Sequence, residues 1–310
     1  MENRSRWIIA TVPLLLQLGG CVSAPGVQTD AKVAAAANHE KTKPSPAATQ
    51  DTKGFGFADA VQRGDAAWQA QDLDRAIYYY VQAMDKSPDD APTLAKIAAI
   101  EDARGNATLA EKAFEMAHSA DPQEPRVAER LARLYLKGGK IDGAAEIYTQ
   151  VLARDPHRPR ALDGMGEVCL ARSDYGQAIL YFNRALQSEK PDAAAVLTHR
   201  GYAKLRSNDL AGAETDLRAA LAVAPREDTW RYLGDVQSLR GDAGDALESL
   251  LNVMDTAQAF NEIGITLMSV KKYKDAKEYF SKAIAASASW FEAAQTNLAR
   301  VDERLRNSAE

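Results

Sequence analysis

The stretch from Ile141 to Pro156 reads IDGAAEIYTQVLARDP, and its spacing decides the fold. Ala144, Tyr148 and Val151 fall four and three residues apart, one stripe of an α-helix, and Pro156 closes the run because a prolyl ring cannot continue it. The same stripe stands 34 residues earlier as Ala110, Phe114, Ala117 and Pro122, and 34 earlier again as Ala76, Tyr80, Ala83 and Pro88. Downstream it returns as Ala178, Phe182 and Ala185, as Ala213, Leu217, Ala220 and Pro225, as Ala246, Leu250 and Val253, and as Ala276, Phe280 and Ala283. One such match is weak evidence. Seven in near-constant phase describe a chain built from stacked copies of one unit.

Each unit carries a helix before the stripe, with a small residue at its eighth position: Gly64, Ala98, Ala132, Gly166, Gly201, Gly234 and Gly264. Small residues let backbones approach, so the leading Ala of the second helix is expected to meet this site. The large side chain four residues on is expected to fill the groove towards the next unit. Gln71-Asp72, Gly105-Asn106, Gly138-Gly139, Ser173-Asp174, Asn208-Asp209 and Gly241-Asp242 separate the paired helices, residue types suited to positive φ or local side-chain bonding.

This helix-turn-helix period, with A-x3-F/Y-x2-A and a later proline, resembles the tetratricopeptide repeat over about 230 residues. The resemblance implies an all-α, right-handed superhelical solenoid, with seven repeats over 57–290 and a capping helix over 290–310. On that last helix Trp290, Ala294, Leu298, Val301 and Leu305 form the apolar side. Two departures are visible. The sixth unit, 227–256, is about four residues short and has no closing proline, which predicts a clipped second helix or linker and a local change of curvature. Lys190-Pro191 sets the fourth proline one residue late, which predicts a longer loop.

The first 56 residues read differently. Arg4 and Arg6 precede a mostly apolar run from Trp7 to Leu18, then Gly19 and Gly20, which is the layout of a secretory signal over residues 1–20. Twelve helical residues reach about 18 Å, short of the roughly 30 Å bilayer core. Leu18-Gly19-Gly20-Cys21 resembles a bacterial lipobox, which implies that Cys21 carries the lipid and that the membrane is met through it; an ordinary signal with an incidental cysteine is the alternative. Val22, where an Asp would retain the protein at the inner membrane, implies an outer-membrane location facing the periplasm. From 21 to 56 the chain is rich in Ala, Pro, Thr, Lys and Gln, with no aromatic before Phe55, so it is expected to be a disordered tether.

Composition narrows function. Lys and Arg number 38 against 43 Asp and Glu, a net charge of −5, which argues against nucleic acid as a partner. His39, His118, His157 and His199 show no paired spacing, and Cys21 and Cys169 are the only thiols, so no metal or other cofactor is expected. Cys169 is expected as a small buried hydrophobe. Of Tyr78-Tyr79-Tyr80, Tyr80 is expected inward and the trio cannot form one flat platform. No Walker, G-x-S-x-G or dinucleotide motif occurs, so no catalytic residue is assigned and the chain is not expected to be an enzyme. A solenoid serving an enzyme as its substrate arm would need a catalytic domain, for which no residues remain.

In tetratricopeptide solenoids the first helices line a concave groove. The resemblance places Arg126, Glu129, Arg133, Lys137, Arg160, Asp163, Glu167, Leu170, Tyr202, Leu205, Arg206, Arg231 and Asp235 there. Basic groups outnumber acidic ones in this set despite the negative net charge, which suits an acidic extended or helical segment of a protein partner. A solvated face, with Glu129 paired to Arg133 along one helix, is the alternative. Lipobox, tether and repeats together are similar to the TadD-like lipoproteins of Tad (Flp) pilus systems and to type IV pilotins. The implied function is a non-enzymatic scaffold that helps a secretin or pilus component assemble in an envelope-spanning machine. An adaptor for peptidoglycan synthases or hydrolases is the other reading.

Overall fold

The computed structural model describes residues 56–307, which form fifteen α-helices and no strand. Seven hairpins follow one another: α1 (Phe57–Gln69) with α2 (Leu73–Met84), α3 (Ala91–Ala103) with α4 (Ala107–Ala120), α5 (Pro125–Lys137) with α6 (Ile141–Arg154), and α7 (Pro159–Ala171) with α8 (Tyr175–Leu186). Then come α9 (Ala193–Arg206) with α10 (Leu210–Val223), α11 (Glu227–Arg240) with α12 (Ala243–Leu250), and α13 (Thr256–Ser269) with α14 (Tyr273–Ala286); α15 (Glu292–Asn307) stands last. The signal, Cys21 and the tether lie outside the described residues. Among the described residues no helix is long and apolar enough to cross a membrane.

Local chemistry sets the boundaries. Asp72, Asp90, Asp174, Asp192 and Asp209 each accept a hydrogen bond from the backbone N–H three residues on, satisfying a donor that the first helical turn leaves free. Pro125 and Pro159 open their helices, where a missing N–H costs nothing. Every turn inside a hairpin contains one left-handed residue, at Gln71, Gly105, Gly139, Ser173, Asn208, Gly241 and Lys271, with φ between 60° and 91°. The expected turn pairs are therefore the sites of positive φ, and Lys271 supplies the seventh. Between α8 and α9 the loop runs over 187–192, six residues against four at 121–124 and 155–158; the loop at 85–90 is as long with Pro88 in regular phase, so the late Pro191 does not by itself set the length.

The seven leading alanines are fully buried, as are Tyr80, Phe114, Phe182, Leu217, Leu250 and Phe280. Their arrangement corrects the sequence reading. The glycine at the eighth position of five first helices lies closest to the large side chain of its own hairpin, and the leading Ala is among the nearest contacts only at Gly201, through the Ala213 carbonyl oxygen. A Cβ added at Gly264 would fall 2.6 Å from Phe280, one at Gly234 2.6 Å from Leu250, and one at Gly201 2.8 Å from Leu217; Gly64 and Gly166 sit closer still under Tyr80 and Phe182. The physical reason is volume: a ring or a branched leucine needs the missing side chain, whereas a methyl group does not. Tyr148 also reaches forward onto Gly164 of the next repeat, as the groove-filling expectation has it.

The sixth hairpin is clipped in its second helix: α12 has 8 residues against 12 in α8, and Val253 lies in the turn beyond it. Asp255 and Gln258 then form a reciprocal capping box that starts α13. At the end of the stack α15 buries Ala294, Asn297 and Val301, and Leu298 and Leu305 pack beside Val301. Trp290 departs from its expected place. It precedes α15, in the loop after α14, and is 76% exposed.

Candidate functional site

The first helices α5, α7, α9, α11 and α13 adjoin one another in the stack and present a shared face. Polar side chains bridge α7 to α9, α9 to α11 and α11 to α13. His199 of α9 stands between two carboxylates of α7, with Nδ1 2.9 Å from Asp163 and Nε2 3.5 Å from Glu167. Burial pulls the imidazole pKa down, but the Asp163 hydrogen bond and the charges of both acids outweigh it and hold His199 at about 9. Burial raises Glu167, and the His199 charge opposes that rise. The acids meet opposite edges of the ring and so do not converge on one point, and among the described residues no His, Cys, Asp and Glu group is arranged to hold a metal ion.

Further along the face, the rings of Tyr202 of α9 and Tyr232 of α11 lie 4.6 Å apart, tilted by 32°. Arg206 Nη1 donates to the Tyr202 hydroxyl at 2.7 Å, and its guanidinium covers both Tyr202 and Tyr175. Thr266 of α13 donates to Asp235 of α11 at 2.7 Å; burial pushes Asp235 up to about 6 against that bond. Arg231 approaches Glu262 at 3.8 Å beside an open depression of about 460 Å³ that it shares with Arg226, Glu227 and Asp228.

Of the groove residues read from the sequence, the structure places Arg126, Arg133, Lys137, Arg160, Glu167, Tyr202, Arg206 and Arg231 at least partly open to solvent. Glu129 is corrected. It is only 5% exposed, and it accepts a hydrogen bond from Arg158 Nε at 2.6 Å rather than pairing with Arg133. An ion so far from water needs a close partner, and the loop before α7 supplies one. Arg133 instead approaches Asp102 of α3 at 3.8 Å. Leu170 and Leu205 are half-buried against the cores of their own repeats. Arg126, Lys137, Arg160 and Arg206 have no carboxylate within ion-pair distance among the described residues.

The face thus pairs several of its acids within the fold and leaves Arg126, Lys137, Arg160 and Arg206 without a carboxylate partner among the described residues. Glu129 is matched by Arg158, Asp163 and Glu167 share the single cation of His199, and Asp235 has its pKa raised by burial. Sequence reasoning missed the His199 cluster, Tyr232 and Tyr175. One signal was available: Asp163 to His199 and Thr198 to Thr229 are roughly one repeat apart, and residues one period apart become neighbours in a stack. The remaining candidates behave as core. Cys169 is buried and its thiol pushed up by that burial, and Tyr80 is buried with its hydroxyl donating to Asp65 at 2.6 Å.

Comparison with known proteins agrees with this architecture. Tetratricopeptide repeat models match residues 67–134, 129–194, 199–262 and 257–289. No curated protein sequence matches the chain. Among solved structures, a tetratricopeptide repeat protein from Parabacteroides merdae superposes with a TM-score of 0.60 at 18% identity, covering 79% of this chain and 98% of its own. PilW, described as a widely conserved type IV pilus biogenesis factor, gives 0.56 at 20% identity over 67% of this chain and 98% of its own. Pseudomonas aeruginosa pilF gives 0.53 at 15% identity over 69% and 97%. With repeat models matched over more than half of its length and the same hairpin stack in its structure, the chain belongs to the tetratricopeptide repeat family.

Proposed function

We propose that the chain is a non-enzymatic scaffold, anchored to the outer membrane through acylated Cys21, whose first-helix face holds an acidic segment of a protein partner during assembly of a pilus or secretion apparatus. One observation carries the partner reading: Glu129 is paired with Arg158, and Asp163 and Glu167 share the charge of His199, while Lys137, Arg160 and Arg206 are exposed with no carboxylate partner among the described residues. Exposed ion pairs are individually worth about 0–1 kcal/mol, so several must act together with apolar anchors, for which the Tyr202–Tyr232 pair is suited. Support for the pilus reading comes from PilW, a pilus biogenesis factor of the same fold. It also comes from the lipobox and tether, which resemble those of TadD-like lipoproteins.

Reversing Lys137, Arg160 and Arg206 to Glu together tests the face. The triple variant is expected to keep its helicity and membrane location and to lose cross-linking to pilus or secretin components. Unchanged cross-linking would move the binding site elsewhere. Cys21→Ser tests the anchor: palmitate labelling is expected to vanish and the protein to leave the outer-membrane fraction.

A further inference from the structure

The loops joining one repeat to the next all emerge at one edge of the stack, because each hairpin returns the chain to the side from which it started. Their chemistry changes along the chain. In the first four repeats they are charged: DKSPDD at 85–90, DPQE at 121–124, DPHR at 155–158 and QSEKPD at 187–192. In the last three they read APR at 224–226, LNVMD at 251–255 and SASWF at 287–291. The two charges among these are engaged locally: Arg226 pairs with Asp228 at 2.9 Å, and Asp255 caps α13. Val223 at the end of α10, Leu251 after α12 and Trp290 after α14 are 59%, 46% and 76% exposed. These are three of the five large hydrophobic residues found exposed among the described residues. Leu180 lies within α8, and Val270 lies in the turn at the opposite edge.

We infer that this C-terminal edge of the solenoid docks on a phospholipid surface, with Trp290 at the level of the headgroups and Val223 and Leu251 beside it. Three side chains of this size expose a few hundred Å² at most, well below the roughly 800 Å² per partner of a stable protein interface. That is too little for a second copy of the chain or a folded partner, but enough to orient a protein on lipid. Isolated loop tips also fit a deformable plane better than a shaped protein surface. Tryptophan suits the interface, with a large apolar body and an N–H that stays hydrated. The acids of the earlier loops would repel an anionic membrane, so only the last three repeats would lie against it. This inference shares the membrane with the anchor proposal and does not depend on the partner reading.

The test uses the full chain on vesicles of phosphatidylethanolamine and phosphatidylglycerol whose acyl chains carry bromine near the headgroup. Trp290 fluorescence is read as the difference between the chain and its Trp290→Phe variant. Quenching of that difference signal by half or more is expected, and Val223→Asp with Leu251→Asp should remove it while leaving circular dichroism unchanged. Flotation with the vesicles but no quenching of Trp290 would overturn the edge and leave the anchor standing. Failure to float would overturn both. Concentration-dependent dimers that Trp290→Ser dissolves would replace lipid with a second copy of the chain.

Discussion

The fourth and sixth repeats occupy equivalent places in the stack and solve the same problems with different residues. Both put a glycine under a large side chain, but Gly166 lies under the ring of Phe182 and Gly234 under Leu250. At the eleventh position of the first helix the fourth repeat buries Cys169 and the sixth buries Gln237, whose amide meets Ser249 at 2.7 Å. With its nitrogen turned inward, the same amide also reaches the backbone oxygens of Leu233 and Asp245. At the ninth position Glu167 faces His199 of the following repeat, whereas Asp235 faces a threonine hydroxyl. In the turn the fourth repeat forces Ser173 into positive φ where the sixth uses Gly241. The fourth repeat relies on shape and charge; the sixth, with a second helix of only 8 residues, relies on hydrogen bonds and glycine. A one-dimensional stack tolerates such differences because each repeat meets only its neighbours.

The largest effect should come from breaking the glycine contact. Gly166→Leu drives a side chain into space held by a rigid ring and is expected to cost about 3 kcal/mol, the upper range for overpacking a core. Gly234→Leu should cost about half as much, because Leu250 can change rotamer and ends a short helix followed by a turn. Denaturant melts of the two variants measure the gap. Equal losses would mean that the clipped repeat is packed as stiffly as the regular one.

Charge at the ninth position gives the next effect. His199 titrates near 9 in the fold against an ordinary value of 6.5, so its contribution to stability is fully present below about pH 6.5 and is lost as pH rises through 9. His199→Gln is therefore expected to be less stable than the parent at pH 6 by about 2 kcal/mol, and to converge with it above pH 9.5. Melting both proteins across that range decides the point; a constant gap would mean that the imidazole packs but does not ionise there.

Much of this architecture can be read from the sequence, for reasons that the two repeats display. Helix boundaries, the inward turn of Ala178, Phe182 and Ala185, and the burial of Cys169 all follow from local spacing, which survives folding unchanged. The partner of the eighth-position glycine was misread because spacing says which residues share a stripe but not which of them a neighbouring helix meets. Glu129 was misread for the same reason: its partner Arg158 lies in a loop 29 residues away, at a distance set by the stack. Trp290 was assigned to the last helix on apolarity alone, although the chain at 287–291 is still a loop. The positions of the groove residues follow from the period, whereas their pairing is set by the stack.

Asp235 sharpens the contrast in the opposite sense from His199. Burial lifts its pKa from an ordinary carboxylate value near 4 to about 6, so the ionised form disfavours the fold; the penalty is complete above pH 6 and fades as pH falls towards 4. Asp235→Asn keeps an acceptor for Thr266 and removes the charge, and is expected to stabilise the protein by about 1 kcal/mol at pH 7.5 with little effect at pH 4. The contrary result, a loss at pH 7.5, would show that Arg231 pairs with Asp235 more tightly than the structure indicates.

The smallest effect lies in the turns, where the two repeats can be exchanged. Ser173 has φ 60° and Gly241 has φ 91°, both on the side of the backbone map where a Cβ crowds the following carbonyl. Ser173→Gly removes that crowding but adds freedom to the unfolded chain, so the two contributions oppose each other and a net gain of about 0.5 kcal/mol is expected. Gly241→Ser meets both contributions in reverse, at a φ further from the left-handed well near 57°, and should lose about 1 kcal/mol or more. No heavy atom lies within 4 Å of a Cβ built at Gly241, so the loss would report backbone strain alone and not a clash. Equilibrium unfolding of both variants separates the cases. If Gly241→Ser matches the parent, the sixth repeat's turn relaxes towards the geometry of the fourth, and its reliance on glycine is not needed for stability.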